Sequence, residues 1–483
     1  MRLAILTSMS FMCLTGCANI GILSKYNPGP TQIPIHEARL EQSNWDELAP
    51  EELPTTDWIG SFEDPTLTSL VNEALEANTN IKASAARLDA SLARLRIAKA
   101  SKFPTIDTNS RITRTETSLP FVTPTNLSSG MSANWEADLW GRIKSTIASN
   151  ELAADASQAD HAGARLSIAG QVTLSWFDLI EARLLSELSA RDVETLERAL
   201  QLTERRFEGG VSGASDVSLA KSSVASAHAL QANREQTLSG LTRRLEILLR
   251  RYPAEEIQAA EDLPILPPLS GAGTPGDILR KRPDLLAAER RLYAQGLQVD
   301  VARKNLLPRL SFNANGNFSS TTFADFLDIE SLALTLVSNL SAPLYQGGRL
   351  RADIKQQEAI MIEQLEIYAG VALSAYLEVE NALDAEQRLL DQEMALRTSL
   401  NEAIKAEERL EIRYKEGLAT ILQLLDAQSR RISAEGQLIS ARKERFSNRA
   451  RLHVALGGGF ETGLGATVAN VVSADAVIGS VVP

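Results

Sequence analysis

Two thiols and four imidazoles are the groups best able to do covalent or metal chemistry in this 483-residue chain. Their placement argues against most of it. His36, His161, His228 and His453 are scattered, with none of the short spacings that converge on a metal ion. There is no nucleophile elbow, and no Gly-rich phosphate loop follows a strand pattern. No catalytic site and no metal or cofactor site is therefore expected. Cys17 is the exception. One cation, Arg2, precedes an apolar run from Leu3 to Leu14, and the segment ends Leu14-Thr15-Gly16-Cys17. Residues 1–16 are the length and polarity of a signal peptide. Small residues before a Cys match a bacterial lipobox, in which the thiol receives diacylglycerol before cleavage; an ordinary signal with a chance Cys is the alternative. Ala18 in the position after the Cys favours export to the outer membrane. Cys13 leaves with the leader, so Cys17 would be the one remaining Cys, acylated, with no disulfide or thiol catalysis possible.

What must position any remaining chemistry is a chain written twice. Arg205-Arg206-Phe207-Glu208-Gly209-Gly210-Val211 returns as Ile412-Arg413-Tyr414-Lys415-Glu416-Gly417-Leu418, and Arg142 pairs with Arg349, Leu245 with Leu452, at an offset of 207. Upstream, Pro104 pairs with Pro308 and Ala98 with Ala302 at an offset of 204. The second copy is therefore three residues longer between Pro308 and Arg349 than the first between Pro104 and Arg142. A period this long is a duplicated module rather than a solenoid repeat. The copies span 58–262 and 277–458, joined by a Pro- and Gly-rich connector at 263–276; a Pro-rich linker occupies 17–57 and a low-complexity tail 459–483.

Each copy has the same internal order. In the first, a helix opens at Asp64-Pro65 and runs towards Ala100. A strand pair follows at about 105–140, and at about 309–345 in the second copy, where Leu310, Phe312, Ala314, Gly316 and Phe318 alternate with polar neighbours. Such strands suit either one leaf of a membrane barrel or a half-buried hairpin of a soluble domain. Four strands cannot close a barrel alone. No run of eighteen apolar residues is present, so no membrane-spanning helix is expected. Arg142 to Phe207 carries no Pro and keeps an apolar stripe, which at 1.5 Å per residue gives a helix about 100 Å long. A tip at about 208–215 and a return helix from Asp216 to about Leu249 complete the copy; the second repeats them with a tip at about 415–421. The Ala- and Ser-rich seams suit a wall of helices or an antiparallel coiled coil.

Composition narrows the class further. Only 5% of residues are aromatic, the profile of long helices rather than of an α/β enzyme. The net charge of −12, with no clustered basic surface, excludes nucleic acid as a partner. The acidity serves solubility or lines a channel.

The leader, the duplicated order of elements, and the stretches Arg282-Pro283-Asp284-Leu285-Leu286-Ala287-Ala288-Glu289, Leu344-Tyr345-Gln346-Gly347-Gly348-Arg349 and Leu456-Gly457-Gly458-Gly459-Phe460 together resemble the TolC-type outer membrane factors, in their OprM/NodT-like lipoprotein branch. The resemblance covers about Trp58 to Phe460. It implies a fold that is mainly α with membrane β: a homotrimer whose twelve strands make an outer-membrane barrel and whose twelve helices make a periplasmic tunnel. It implies the exit duct of a tripartite efflux system, lipid-anchored through Cys17, working with a periplasmic adaptor and an inner-membrane pump. A type I secretion channel and a non-conducting, lipid-anchored coiled-coil tether are the alternatives. The paired strands favour a conduit, because a tether needs none.

The same resemblance places adaptor contacts at the tips, on Gly209, Gly210 and Val211 in the first copy and Gly417 and Leu418 in the second. By themselves these could be turn residues. It places the gate just beyond, in Leu422-Gln423-Leu424-Leu425-Asp426-Ala427. Leu422 and Asp426, four apart on one helix face, would stack a ring of leucines on a ring of carboxylates in a trimer. The alternative is a core Leu422 and a solvated Asp426. The chain departs from the family pattern at Ala419, where an Arg is usual, and at Gln423, where an Asp is usual. Closure through Leu422 then takes over from a polar lock, with Asp216 supplying part of the missing acidity.

Overall fold

The computed structural model describes residues 58–115, 125–267, 275–322, 325–326 and 328–458. Cys17, the signal peptide, the linker to residue 57, part of the connector and the tail from 459 lie outside the described residues. The first copy contains α1 (Pro65–Ala77), α2 (Thr79–Ala100), β1 (Thr105–Arg114), β2 (Thr125–Ala137), α3 (Arg142–Glu208) and α4 (Ala214–Leu248). The second contains α5 (Pro275–Lys281), α6 (Pro283–Lys304), β3 (Arg309–Ser320), β4 (Leu332–Ser341), α7 (Arg349–Lys415) and α8 (Ile421–Ala455). The helices α3 and α7 have 67 residues each, and α4 and α8 have 35 each, as the offset of the two copies requires.

Three details differ from expectation. The first helix is broken at Asn78, whose side-chain oxygen accepts from Asn80 N at 2.8 Å while its Nδ2 donates to Leu248 O at 2.7 Å. A side chain that offers the backbone an alternative partner ends one helix and caps the next. The helix α5 opens at Pro275, inside the segment assigned to the connector. Finally, α7 contains an eighteen-residue window of mean hydropathy 1.2, long and apolar enough to pass for a membrane span. That window is only 17% buried, and it belongs to a helix packed along α6 and α8. Ile362, Ile367, Leu373 and Leu377 stand exposed on it.

The long helices pack in the order α4, α3, α8, α7, which leaves α4 and α7 at the edges. Cations on α8 stitch the middle. Lys443 reaches Asp178 and Glu181 on α3, Arg445 reaches Glu393 on α7, and Arg449 reaches Glu386 at 2.7 Å. Near one end of this layer, Trp58, Phe62, Leu67, Leu70, Trp176, Phe177, Leu245 and Phe446 form the main apolar core. Asp64 starts α1 by accepting from Thr66 N at 2.9 Å and Leu67 N at 3.0 Å, and its other oxygen takes the Trp176 Nε1 proton at 2.7 Å.

His453 is buried in this region, stacked on Trp58 with ring centroids 5.5 Å apart. Burial, with Arg449 adding to it, pushes the imidazole down to about 4. The unfolded chain, with an ordinary histidine near 6.5, therefore binds the proton first. Stability is complete above about pH 6.5 and falls as pH drops from there towards 4, by up to about 3 kcal/mol. Replacing His453 by Phe should flatten that part of the pH dependence in urea unfolding; an unchanged slope between pH 6.5 and 4 would rule out His453 as its source.

The strands make one antiparallel sheet in the order β1-β2-β3-β4. The register gathers the large apolar side chains mainly on one side. Ile106 pairs with Ala133, Ala133 with Ala314 and Ala314 with Leu336; Thr108 pairs with Met131, Met131 with Gly316 and Gly316 with Leu334; Trp135 pairs with Phe312. Paired residues share a face, so one side carries Ile106, Ile112, Met131, Trp135, Leu310, Phe312, Phe318, Leu334, Leu336 and Leu340. The other carries Asp107, Asn109, Arg111, Asn134, Glu136, Asn313, Asn315, Asn317, Thr335 and Asn339. Every residue of β1, and all of β4 after Leu332, is exposed.

Candidate functional site at the helix tips

Both tips end their long helices in the same hydrogen-bonded turn. Gly210 N donates to Phe207 O at 2.9 Å and Val211 N to Arg206 O at 2.8 Å; Gly417 N donates to Tyr414 O at 3.1 Å and Leu418 N to Arg413 O at 2.8 Å. This is a Schellman cap, which needs a left-handed residue after the helix. Gly210 and Gly417 supply it at φ 73° and 81°. Gly209 does not, since its φ is −77°, so glycine is required at one position of each tip and not at two in the first.

The return helices start with side-chain caps. Gln423 Oε1 accepts from Thr420 N at 3.0 Å while Thr420 Oγ1 accepts from Gln423 N at 3.4 Å, a full capping box. In the first copy only half of it exists, because Gly213 has no side chain: Asp216 Oδ2 accepts from Gly213 N at 3.1 Å. Asp216 and Gln423 thus occupy equivalent positions with one shared local task, starting a helix.

Val211, Leu418 and Leu422 are 67%, 64% and 63% exposed. Leu422 is therefore not core, and the tips present apolar side chains to whatever approaches. Asp426 carries a partner that its spacing did not announce: Arg430 Nε donates to its Oδ2 at 2.9 Å. The pair lies mostly in solvent, where water and salt screen it. Asp426, expected to be free, is paired with a guanidinium one helical turn on.

The contact that joins the two tips involves residues that sequence reasoning did not assign. Tyr414, on α7, is 2% exposed. Its hydroxyl lies 2.9 Å from Thr203 Oγ1 on α3, and the Arg206 guanidinium sits over its ring with Cζ 4.7 Å from the centroid. Arg206 Nη1 also donates to the Tyr414 carbonyl. Around them Ala199, Ile421 and Leu424 are buried, with Leu202, Ala419 and Leu425 against them. Ala419, the departure from the family pattern, belongs to this apolar packing. The available signal was the echo itself: Tyr414 repeats Phe207 with one hydroxyl added, and a buried hydroxyl needs a partner.

Higher on α8, Arg431 joins three helices at once. It meets Asp192 of α3 at 2.9 Å, Glu407 of α7 at 2.5 Å and Glu435 of its own helix at 2.8 Å. Burial pushes the carboxyls of Asp192 and Glu407 up, against the pull of Arg431. No group of three or more His, Cys, Asp or Glu able to hold a metal ion occurs among the described residues.

Residues 70–248 and 274–458 match the family model for the outer membrane efflux protein. The chain is 29% identical to the pyoverdine export outer membrane protein OpmQ of Pseudomonas putida over 85% of its own length and 89% of that protein. It is 27% identical to the outer membrane protein OprJ of Pseudomonas aeruginosa, covering 85% and 88% respectively. Among solved structures, the outer-membrane channel OprN superposes with a TM-score of 0.80 at 27% identity, over 86% of this chain and 96% of that one.

Proposed function

Because the chain belongs to the outer membrane efflux protein family, we propose that three copies close edge to edge into one duct, β4 of one copy beside β1 of the next and α7 beside α4. The chain is an outer-membrane efflux component. One observation supports the closed trimer most directly: a four-stranded sheet with an apolar face, a polar face and two open edges. Inside a bilayer open strand edges leave N–H and C=O groups unpaired, so such a sheet exists only as part of a closed barrel. Twelve strands give the polar faces a shared lumen and the apolar faces the lipid. The exposed apolar residues of α7, Ile362, Ile367, Leu373 and Leu377, give a neighbouring copy an apolar surface to cover. Phe103, Trp140 and Tyr345, exposed just past the strand ends, form the aromatic band that barrels place at the lipid headgroups.

The gate reading places the ring of Leu422 at the narrow entrance, Asp426 beside it, and Asp216 and Gln423 at the helix starts that hold the ring in place. Val211 and Leu418, raised on the Gly209-Gly210 and Gly417 turns, are the adaptor contacts. Acylation of Cys17 anchors the chain to the outer membrane. The chain performs no catalysis, and energy comes from the inner-membrane pump through the adaptor. The cargo is set by that pump. A tether offers no account of the two-faced sheet.

Single-channel recording on full-length protein in planar bilayers tests this. Wild type should give small openings, Leu422→Ala larger ones, and Asp426→Ala a weaker preference for cations, because Arg430 is left without its counter-charge. Membrane-bound, folded protein that stays silent in all three forms would remove the duct in favour of the tether.

A further inference from the structure

We propose that Asp107 and Arg111 make the barrel lumen bipolar, with an acidic ring on the helix side and a basic ring towards the outer mouth, so that ions pass unequally in the two directions; this rests on the closed trimer proposed above. The polar face of the sheet is mostly Ser, Thr and Asn. On its paired strands only Asp107, Arg111, Glu136 and Arg309 are charged. Two of the four are held at the helix end of the sheet. Glu136 Oε1 accepts from Arg142 Nη2 at 2.9 Å, and Arg309 Nη2 donates to Asn305 Oδ1 at 2.7 Å.

Asp107 and Arg111 stand further along β1, every residue of which is exposed. Four positions apart on one strand, they share a face and lie about 13 Å from each other along it. Because β1 follows α2, Asp107 is on the helix side and Arg111 nearer the far end. Neighbouring strands add no charge at either level: Asp107 pairs with Ser132, Ser132 with Asn315 and Asn315 with Thr335, while Arg111 pairs with Ser128 and Ser128 with Ser319. Three copies would therefore set three carboxylates at one level and three guanidiniums at the other.

A ring of one sign concentrates the opposite ion beside it. A voltage positive on the helix side drives cations in past Asp107 and anions in past Arg111, so both carriers accumulate between the rings and the current rises. The opposite voltage draws both out and depletes the lumen. An anion arriving from outside is gathered by Arg111 and then repelled by Asp107. The screening length is about 10 Å at 0.1 M salt and about 3 Å at 1 M, so the effect belongs to dilute salt.

The test uses full-length protein carrying Leu422→Ala, so that the tips do not dominate the resistance, added to one side of a planar bilayer so that the long helices stay on that side. In equal salt on both sides at about 0.1 M, current should be about twofold larger with the helix side positive, and nearly symmetric at about 1 M. Adding Arg111→Gln should remove most of the asymmetry, and the exchange Asp107→Arg with Arg111→Asp should reverse it. A parent protein that conducts symmetrically at the lower salt, or whose asymmetry persists at the higher, overturns the proposal without any substitution in the sheet and leaves the duct standing. An asymmetry that keeps its direction in the exchanged protein also overturns it, since the source then lies elsewhere. Membrane-bound parent protein that passes no current removes the duct reading itself, and this inference with it.

Discussion

Leu336→Arg should remove the protein from the outer membrane, whereas Thr335→Arg, one residue earlier, should leave it there. Leu336 lies on the apolar side of β4, in register with Ala314 of β3, while Thr335 lies on the polar side opposite Asn315. A cation on the lipid face near the bilayer centre costs about 2–4 kcal/mol, and a closed trimer incurs that cost three times. On the lumen face the same cation meets water and costs little. Fractionation of membranes, followed by alkaline extraction, checks the pair. Equal retention of the two variants would mean that the sheet does not divide lipid from lumen, and the barrel would lose its main support.

Trp176→Ala should be the most damaging substitution in the helical body. The side chain is fully buried among the core residues contributed by α1, α3, α4 and α8, and its Nε1 holds Asp64 Oδ2 at 2.7 Å. Truncation leaves a cavity that surrounding helices of this length cannot easily fill, at a cost of about 3–5 kcal/mol. It also takes a partner from the carboxylate that starts α1. Trp176→Phe restores most of the volume but not the hydrogen bond, so it should cost about 1–3 kcal/mol. Denaturant unfolding followed by far-ultraviolet dichroism, at matched protein concentration, distinguishes the two. A loss below about 1 kcal/mol for Trp176→Ala would show that this cluster is not what holds the first copy against α8.

The duplication, the long helices, the strand positions and the turn glycines were legible because each is a local or periodic property. A 207-residue echo, an apolar alternation and a glycine after a helix can all be recognised without knowing what lies across the fold. The helix break at Asn78 was hidden because its side chain spends one hydrogen bond on Leu248, 170 positions away. The apolar window in α7 resembled nothing special until its exposure showed that it is an edge. At the tips, Leu422 and Asp426 were correctly set on one helix, but the company they keep was not readable: Arg430 takes the carboxylate, and Asp216 and Gln423 cap helices.

Sequence alone determined that this is a twice-written, mainly helical chain with strand pairs fit for lipid on one side, because backbone propensity and side-chain period are encoded nearest-neighbour by nearest-neighbour. Only the tertiary structure decided that Arg206 leaves its own hairpin for Tyr414 while Arg413, its duplicate, does not. The two copies share the turn that ends each long helix. What separates them is which surface each is folded against, and that depends on contacts more than two hundred residues apart.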